Sequence, residues 1–242
     1  MMKILLANPN SSKDVTNKLL ETIQDVPLHA TTEIIPLTNP KGTRAIDSTF
    51  ADYQSAWSFH REILKVVDEQ HIDAVVVCGF GNLGVNGLKE MLDIPVLSMS
   101  ETAMVMAYPL AHRFSVLTTL DSFVPAMEDM IKMQGLDAKC ASVRAIDVTV
   151  DECVSDREGT FKKLVASIQG IIKNDGAELI VLGSGGLSGY NILLEKELGI
   201  VVLDPAQIAV KVAEMMVETG LKHSKIRKYK KPRQPLSNYY QD

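Results

Sequence analysis

Two periodicities alternate along the chain. Short runs of β-branched and aliphatic residues are separated by longer stretches in which apolar residues return every three or four positions. This pattern predicts βαβ units and largely parallel sheets covered on both faces. Residues 3–7 are the first predicted strand, followed by Asn-Pro-Asn-Ser-Ser. Ser11 or Ser12 there is suited to cap a helix running to Ile23. A second strand is expected over 33–37, then a loop of turn formers over 38–48 and a helix from about 50 to 68. Residues 74–77 are a buried strand entering Cys-Gly-Phe-Gly-Asn-Leu-Gly. After a short helix, 95–98 is another strand.

The pattern then begins again. Residues 114–118 resemble the opening strand, 179–182 run into Gly-Ser-Gly-Gly as 74–77 ran into their glycines, and 201–203 repeat the Val96-Leu97 strand. Cys78 and Ser98 stand 20 positions apart, as do Ser184 and Asp204; Asn8 to Cys78 is 70 positions and Thr118 to Ser184 is 66. Small apolar residues recur after each third strand, over 103–107 and 206–213. The fold class expected is α/β: two pseudo-symmetric lobes, each a mostly parallel sheet flanked by helices, with the active site in the cleft between them. The lobes are assigned to 1–98 plus about 208–242, and to 99–207. Ligands in open α/β sheets sit beyond the carboxyl ends of the strands. The loops at 8–12, 79–84, 118–120 and 184–189 therefore face one crevice.

Composition narrows the function. A chain of 242 residues with 46% hydrophobic and 23% charged residues buries a sizeable core. No run of 18 uncharged apolar residues marks a membrane span, and the amino terminus lacks the form of a signal peptide. Three cysteines, Cys78, Cys140 and Cys153, make neither a disulfide framework nor a metal-ligand spacing. A cytoplasmic protein with free thiols and no metal is expected. The net charge of −5 argues against nucleic acid as a partner. The basic run from Lys222 to Arg233 is read as a solvated arm packing on a neighbouring lobe or subunit.

Several motifs bear on chemistry. Gly79-Phe80-Gly81-Asn82-Leu83-Gly84 matches G-x-G-x-x-G, but the next strand follows too soon for a dinucleotide-binding unit. Ser184 lies in Leu-Gly-Ser-Gly-Gly, which is not a nucleophile elbow, and no histidine is tied to it by pattern. His112 is read as a packed or capping residue, and His29, His60, His71 and His223 as surface or helix-end residues. The glycines have a firmer meaning, since backbone N–H groups in such turns cradle carboxylates, oxyanions or ring oxygens. Gly79, Gly81, Gly185 and Gly186, with Asn8, Asn10, Asn82, Thr118 and Thr119, are the expected substrate-binding groups of a small-molecule pocket.

Asn8-Pro9-Asn10-Ser11-Ser12, Phe80-Gly81-Asn82, Asp93-Ile94-Pro95-Val96, Glu101-Thr102-Ala103-Met104, the segment 112–119 and Val181-Leu182-Gly183-Ser184-Gly185-Gly186 together resemble the hydantoin and allantoin racemases. These belong to the aspartate/glutamate/hydantoin racemase superfamily. The resemblance runs in order through nearly the whole chain, to Gly220-Leu221 and Ser224. It implies two lobes, no metal or organic cofactor, a small-molecule substrate and a homo-oligomer. It also implies two cysteines that flank the substrate's stereocentre, one removing a proton and the other returning one.

Here the chain departs from that pattern. Counting from Phe80 places Gly79 at the first cysteine, and Ser184 stands at the second. Cys78 is one residue early and in an extended strand faces away, unless a bulge turns it back. Serine alone is a poor proton relay. Room at Gly79 for a water or a larger substrate atom, with Ser184 holding it, leads us to expect hydrolytic, desulfurising or lyase-type chemistry on a 5-substituted hydantoin or thiohydantoin ring or a related small acid. Ser184, Cys78 and Glu101 are the candidate catalytic residues. The alternatives are a racemase using Cys78 and a non-catalytic small-molecule binder.

Overall fold

The computed structural model describes residues 1–81, 83–234 and 238. Strands β1 (Met2–Asn8), β2 (Thr32–Thr38), β3 (Ala74–Val77) and β4 (Val96–Ser98) form a sheet in the order β2-β1-β3-β4. Strands β5 (Phe114–Thr118), β6 (Cys140–Ala145), β7 (Leu179–Leu182) and β8 (Val201–Leu203) form a second, in the order β6-β5-β7-β8. Every pairing is parallel. Pro36 is accommodated because β2 is an edge strand, where one missing N–H costs no ladder bond on the open side.

The helices are α1 (Lys13–Gln24), α2 (Thr49–Gln70), α3 (Val85–Met91), α4 (Met99–Leu110), α5 (Val124–Met133), α6 (Val150–Ser155), α7 (Arg157–Asp175), α8 (Asn191–Leu198) and α9 (Pro205–Glu218). Ser12 starts α1 by accepting the Val15 N–H, and Ser48 starts α2 by accepting the Ala51 N–H. Strand side chains alternate between faces. Ile4, Leu6, Ala74 and Val76 pack with Leu19 of α1 and Ala206, Ala209, Val210 and Ala213 of α9. Leu5, Ala7, Val75 and Val77 pack with Phe59 and Ile63 of α2 and Leu88 of α3.

The two lobes exchange a helix. α4 leaves the first sheet, yet its Ala103, Met104 and Ala107 join Phe114, Val116 and Val181 in the core of the second. α9 leaves the second sheet and covers the first. The two small-residue helices pack against each other at the centre.

Ladder registers fix the internal symmetry. Ile4 pairs with Ala74 and Phe114 with Leu179, so Leu179 corresponds to Ala74 at an offset of 105. Gly79 therefore corresponds to Ser184, and Cys78 to Gly183. The matched 20-residue spacings had aligned Cys78 with Ser184. The register corrects this by one, because the second lobe carries one more residue between its third and fourth strands (Val75 pairs with Val96, Ile180 with Val202). Strand β6 and helices α5 to α8 were not assigned from sequence. β6 is a half-buried edge strand, Cys-Ala-Ser-Val-Arg-Ala, with no β-branched run to announce it.

The basic tail lies back on the first lobe. Lys225 Nζ donates to the carbonyls of Lys89, Glu90 and Leu92 at 2.6, 3.2 and 2.6 Å, closing the end of α3. His223 Nε2 accepts the Val96 N–H at 2.8 Å, and Lys231 pairs with Asp93. Among the described residues no helix is long and apolar enough to cross a membrane.

Asp204 ties the loop after β7 to α9. Its Oδ1 accepts the Ala206 and Gln207 N–H groups at 2.9 and 3.3 Å, and its Oδ2 accepts the Gly189 N–H at 2.7 Å. Replacing it removes a cap and strands buried donors, so Asp204→Ala is expected to lower unfolding free energy by about 2 kcal/mol in denaturant titration. A loss below about 0.5 kcal/mol would contradict this role.

Candidate functional site

A cavity of about 320 Å³ opens where the carboxyl ends of the two sheets face each other. All four predicted loops reach it: Pro9 and Asn10 after β1, Gly79 to Gly81 and Leu83 after β3, Thr118 and Thr119 from β5, and Ser184 to Gly186 after β7. Ile46, Ser48, Thr49 and Asp52 close it at the start of α2, and α5 contributes Met127, Asp129, Met130 and Met133, with Phe123 just ahead.

The predicted polar residues divide into scaffold and lining. Asn8 is fully buried and does not line the cavity. Its Nδ2 donates to Asn10 Oδ1, the Ser12 carbonyl and Thr16 Oγ1 at 2.9, 3.1 and 3.0 Å, and its Oδ1 accepts the Asn10 N–H. Asn8 thus builds the turn rather than binding substrate. Asn10 lines the cavity, but its Oδ1 is held by Asn8 and the Ser12 N–H, so only its amide nitrogen can serve a ligand. Thr118 lines the wall, with its hydroxyl donated to the Gly183 carbonyl at 3.1 Å. Gly183 must be glycine: a Cβ there would lie 2.8 Å from Val116 Cγ1 and 3.2 Å from the Leu117 carbonyl oxygen. Asn82 lies outside the described residues.

Ser184 borders the cavity, and its Oγ accepts the Gly186 N–H at 3.2 Å, leaving its own proton for the cavity. Gly79, its counterpart in the first lobe, does not leave the room expected of it. A Cβ on Gly79 would lie 2.0 Å from Leu83 Cδ1, so Leu83 occupies that space. Leu83 is 1% exposed and holds φ at +46°, a conformation a side chain rarely adopts. Beside Gly79 the cavity therefore presents an apolar wall. The expectation of hydrolytic, desulfurising or lyase-type chemistry rests on room at Gly79, and that room is filled.

Cys78 borders the cavity yet is only 3% exposed, and its side chain belongs to the core with Ile4, Val76, Met99 and Ala206. Its Sγ lies 3.6 Å from the Val76 carbonyl. This is the orientation that strand alternation predicts for it. Burial, and then the negative charge of Asp204, push its thiol far above the ordinary range. Glu101 is not in the cavity; it pairs with Lys89 at 2.6 Å and borders a separate hollow beside α3 and α4.

Sequence reasoning missed Asp52 and the methionine face of α5. Asp52 sits one turn into α2, and burial raises its carboxyl above the ordinary range despite the Leu83 N–H it accepts. The 127, 130, 133 spacing was a readable helical stripe. His60 is also corrected: it lies mid-helix against Gly84, and its Nε2 is buried without a partner among the described residues. His112 is exposed rather than packed; its backbone N–H donates to Glu178. The G-x-G-x-x-G run leads into the seven-residue α3 and the return strand β4, not a dinucleotide-binding crossover. Among the described residues no three His, Cys, Asp or Glu side chains are placed to hold a metal ion.

The Gly79–Leu83 contact predicts coupled stability. Gly79→Ala alone should cost about 1–3 kcal/mol, and the cost should shrink by at least about 1 kcal/mol when Leu83 is also alanine. Additivity within about 0.3 kcal/mol in denaturant titrations would show that Leu83 does not fill this space.

Residues 4–213 match the Asp/Glu/Hydantoin racemase family. The chain is 34% identical to a hydantoin racemase of Rhizobium meliloti, covering 96% of this chain and 95% of that protein. It is 32% identical to a hydantoin racemase of Paenarthrobacter aurescens, covering 96% and 98%. The crystal structure of allantoin racemase from Pseudomonas fluorescens superposes with a TM-score of 0.92 at 36% identity, covering 97% of this chain and 98% of that one. With two matched parallel sheets, four loops converging on one cavity and similarity along almost its entire length, this chain belongs to the Asp/Glu/hydantoin racemase family.

Proposed function

We propose that this protein is an isomerase that moves a proton at C5 of a hydantoin-type ring carrying an apolar substituent. The ring carbon lies next to a carbonyl, so removing its proton places charge on the carbonyl oxygen, where donors in a dry site stabilise it. The Asn10 amide and the Ser184 hydroxyl are the side-chain donors suited to that oxygen. The relationship to hydantoin and allantoin racemases over nearly the whole chain supports the reaction type.

The observation that carries the substrate class is the α5 wall. Phe123, Met127, Met130 and Met133 form one side of the cavity, facing Ile46 and Leu83 among the other lining residues. Methionines adapt to irregular apolar shapes, and an apolar substituent gains contact with Phe123, Met127 and Met130 that a polar one does not. A benzyl or alkyl group suits this wall better than the ureido group of allantoin.

Enantiopure 5-benzylhydantoin and allantoin incubated with the protein in heavy water test the proposal, with proton NMR at C5 and optical rotation as readouts. The expected result is deuterium uptake and loss of rotation above the uncatalysed rate. The benzyl compound should be favoured about tenfold or more in kcat/KM. Ring opening or sulfur loss without exchange at C5 would overturn the reading. Thermal stabilisation without turnover would make the protein a binder instead.

A further inference from the structure

Asp52 reaches the cavity from the first lobe, the side on which Leu83 has filled the place of a thiol. Gly81 lines the same cavity beside this carboxylate. A Cβ built there would sit 3.7 Å from Asp52 Oδ2, and the missing side chain leaves the carboxylate exposed to a ligand. The Leu83 N–H fixes the carboxylate in place. The other candidates are poorly suited: Cys78 is turned into the core, Glu101 is paired with Lys89 outside the cavity, and Asp129 stands exposed on α5.

We infer, on the basis of the proton-transfer reading above, that Asp52 is the catalytic base at C5, doing from α2 what a thiolate at position 79 cannot do here. The ionised carboxylate takes the C5 proton, and the C–H electron pair passes to the adjacent carbonyl oxygen as an enolate. The proton returns to C5 either from the Asp52 carboxylic acid on the same face or from a solvent water held by Ser184 on the opposite face. The second route inverts the centre, and Asp52 then gives its proton to solvent. Nothing is oxidised or reduced, and the only co-reactant is water.

Burial raises the carboxyl above the ordinary range, which brings a weak carboxylate base closer to the strength that carbon acids need. Asp52 has no charged partner among the described residues. Asp129 faces the same cavity from α5. His60, two turns along α2, packs against Gly84 and is itself shifted down by burial.

Asp52→Asn separates chemistry from architecture, because an amide oxygen can still accept the Leu83 N–H while the basicity is lost. With 5-benzylhydantoin in heavy water, the wild type should exchange C5 faster as pH rises through the raised Asp52 pKa. Asp52→Asn should lose about 100-fold or more in kcat with little change in KM, and lose that pH limb. Asp52→Glu should recover part of the rate, and an unchanged melting temperature for Asp52→Asn shows that the fold is intact. Exchange within threefold of wild type in Asp52→Asn, with the limb retained, overturns the assignment while leaving the proton-transfer reading standing. No exchange by wild type on any hydantoin overturns both.

Discussion

A parallel sheet cannot leave a face open to water without exposing the apolar side chains that alternate along its strands. Each four-stranded sheet here is covered on one face by a helix that follows the last strand of the other sheet. α4 covers the second sheet and α9 the first, and the two helices pack against each other at the centre. That exchange sets the carboxyl ends of both sheets around one cavity and makes the cavity depend on residues from both halves. Asp204 strengthens the link by capping α9 while holding the Gly189 turn.

Within this scaffold, a one-residue difference in sequence position becomes a difference in chemistry. Cys78 and Gly79 are adjacent, yet alternation along β3 sends the thiol into the core with Val76 and Ala74 and leaves the glycine at the cavity. A thiolate among aliphatic side chains and near Asp204 is costly, so the thiol stays protonated. Glycine at 79 in turn lets Leu83 close over the position. Ser184 keeps a hydrogen-bonding group on the opposite wall. The family scaffold is present, and in the proposed reaction its cavity offers a carboxylate from α2 and a hydroxyl at Ser184.

Much of the fold was legible from residue patterns. Strands β3, β5, β7 and β8 were read to the residue, because buried parallel strands appear as short β-branched runs bounded by glycine, proline or polar turns. The duplication was also visible, but its alignment slipped by one where the second lobe carries an extra residue. The edge strand β6 gave no comparable signal. In the site, the four converging loops were readable from strand order, whereas the occupant of the space beside Gly79 was not. A side chain four residues away fills it through a left-handed turn at Leu83, which local pattern does not announce. Asn8 illustrates the same limit, since its type suits ligand binding and turn building equally until its bonds are known. Asp52 was passed over because an acidic residue in the first turn of a helix is ordinary; only the cavity distinguishes it.

In the proposed reaction, proton transfer runs without a thiol. Measuring C5 deuterium exchange on an apolar 5-substituted hydantoin with the Cys78→Ala variant, corrected for the fraction folded, tests it most directly. Exchange within about threefold of the wild type is expected, since the Cys78 side chain packs in the core. Loss of about 100-fold or more with the fold intact would place the thiol in the reaction.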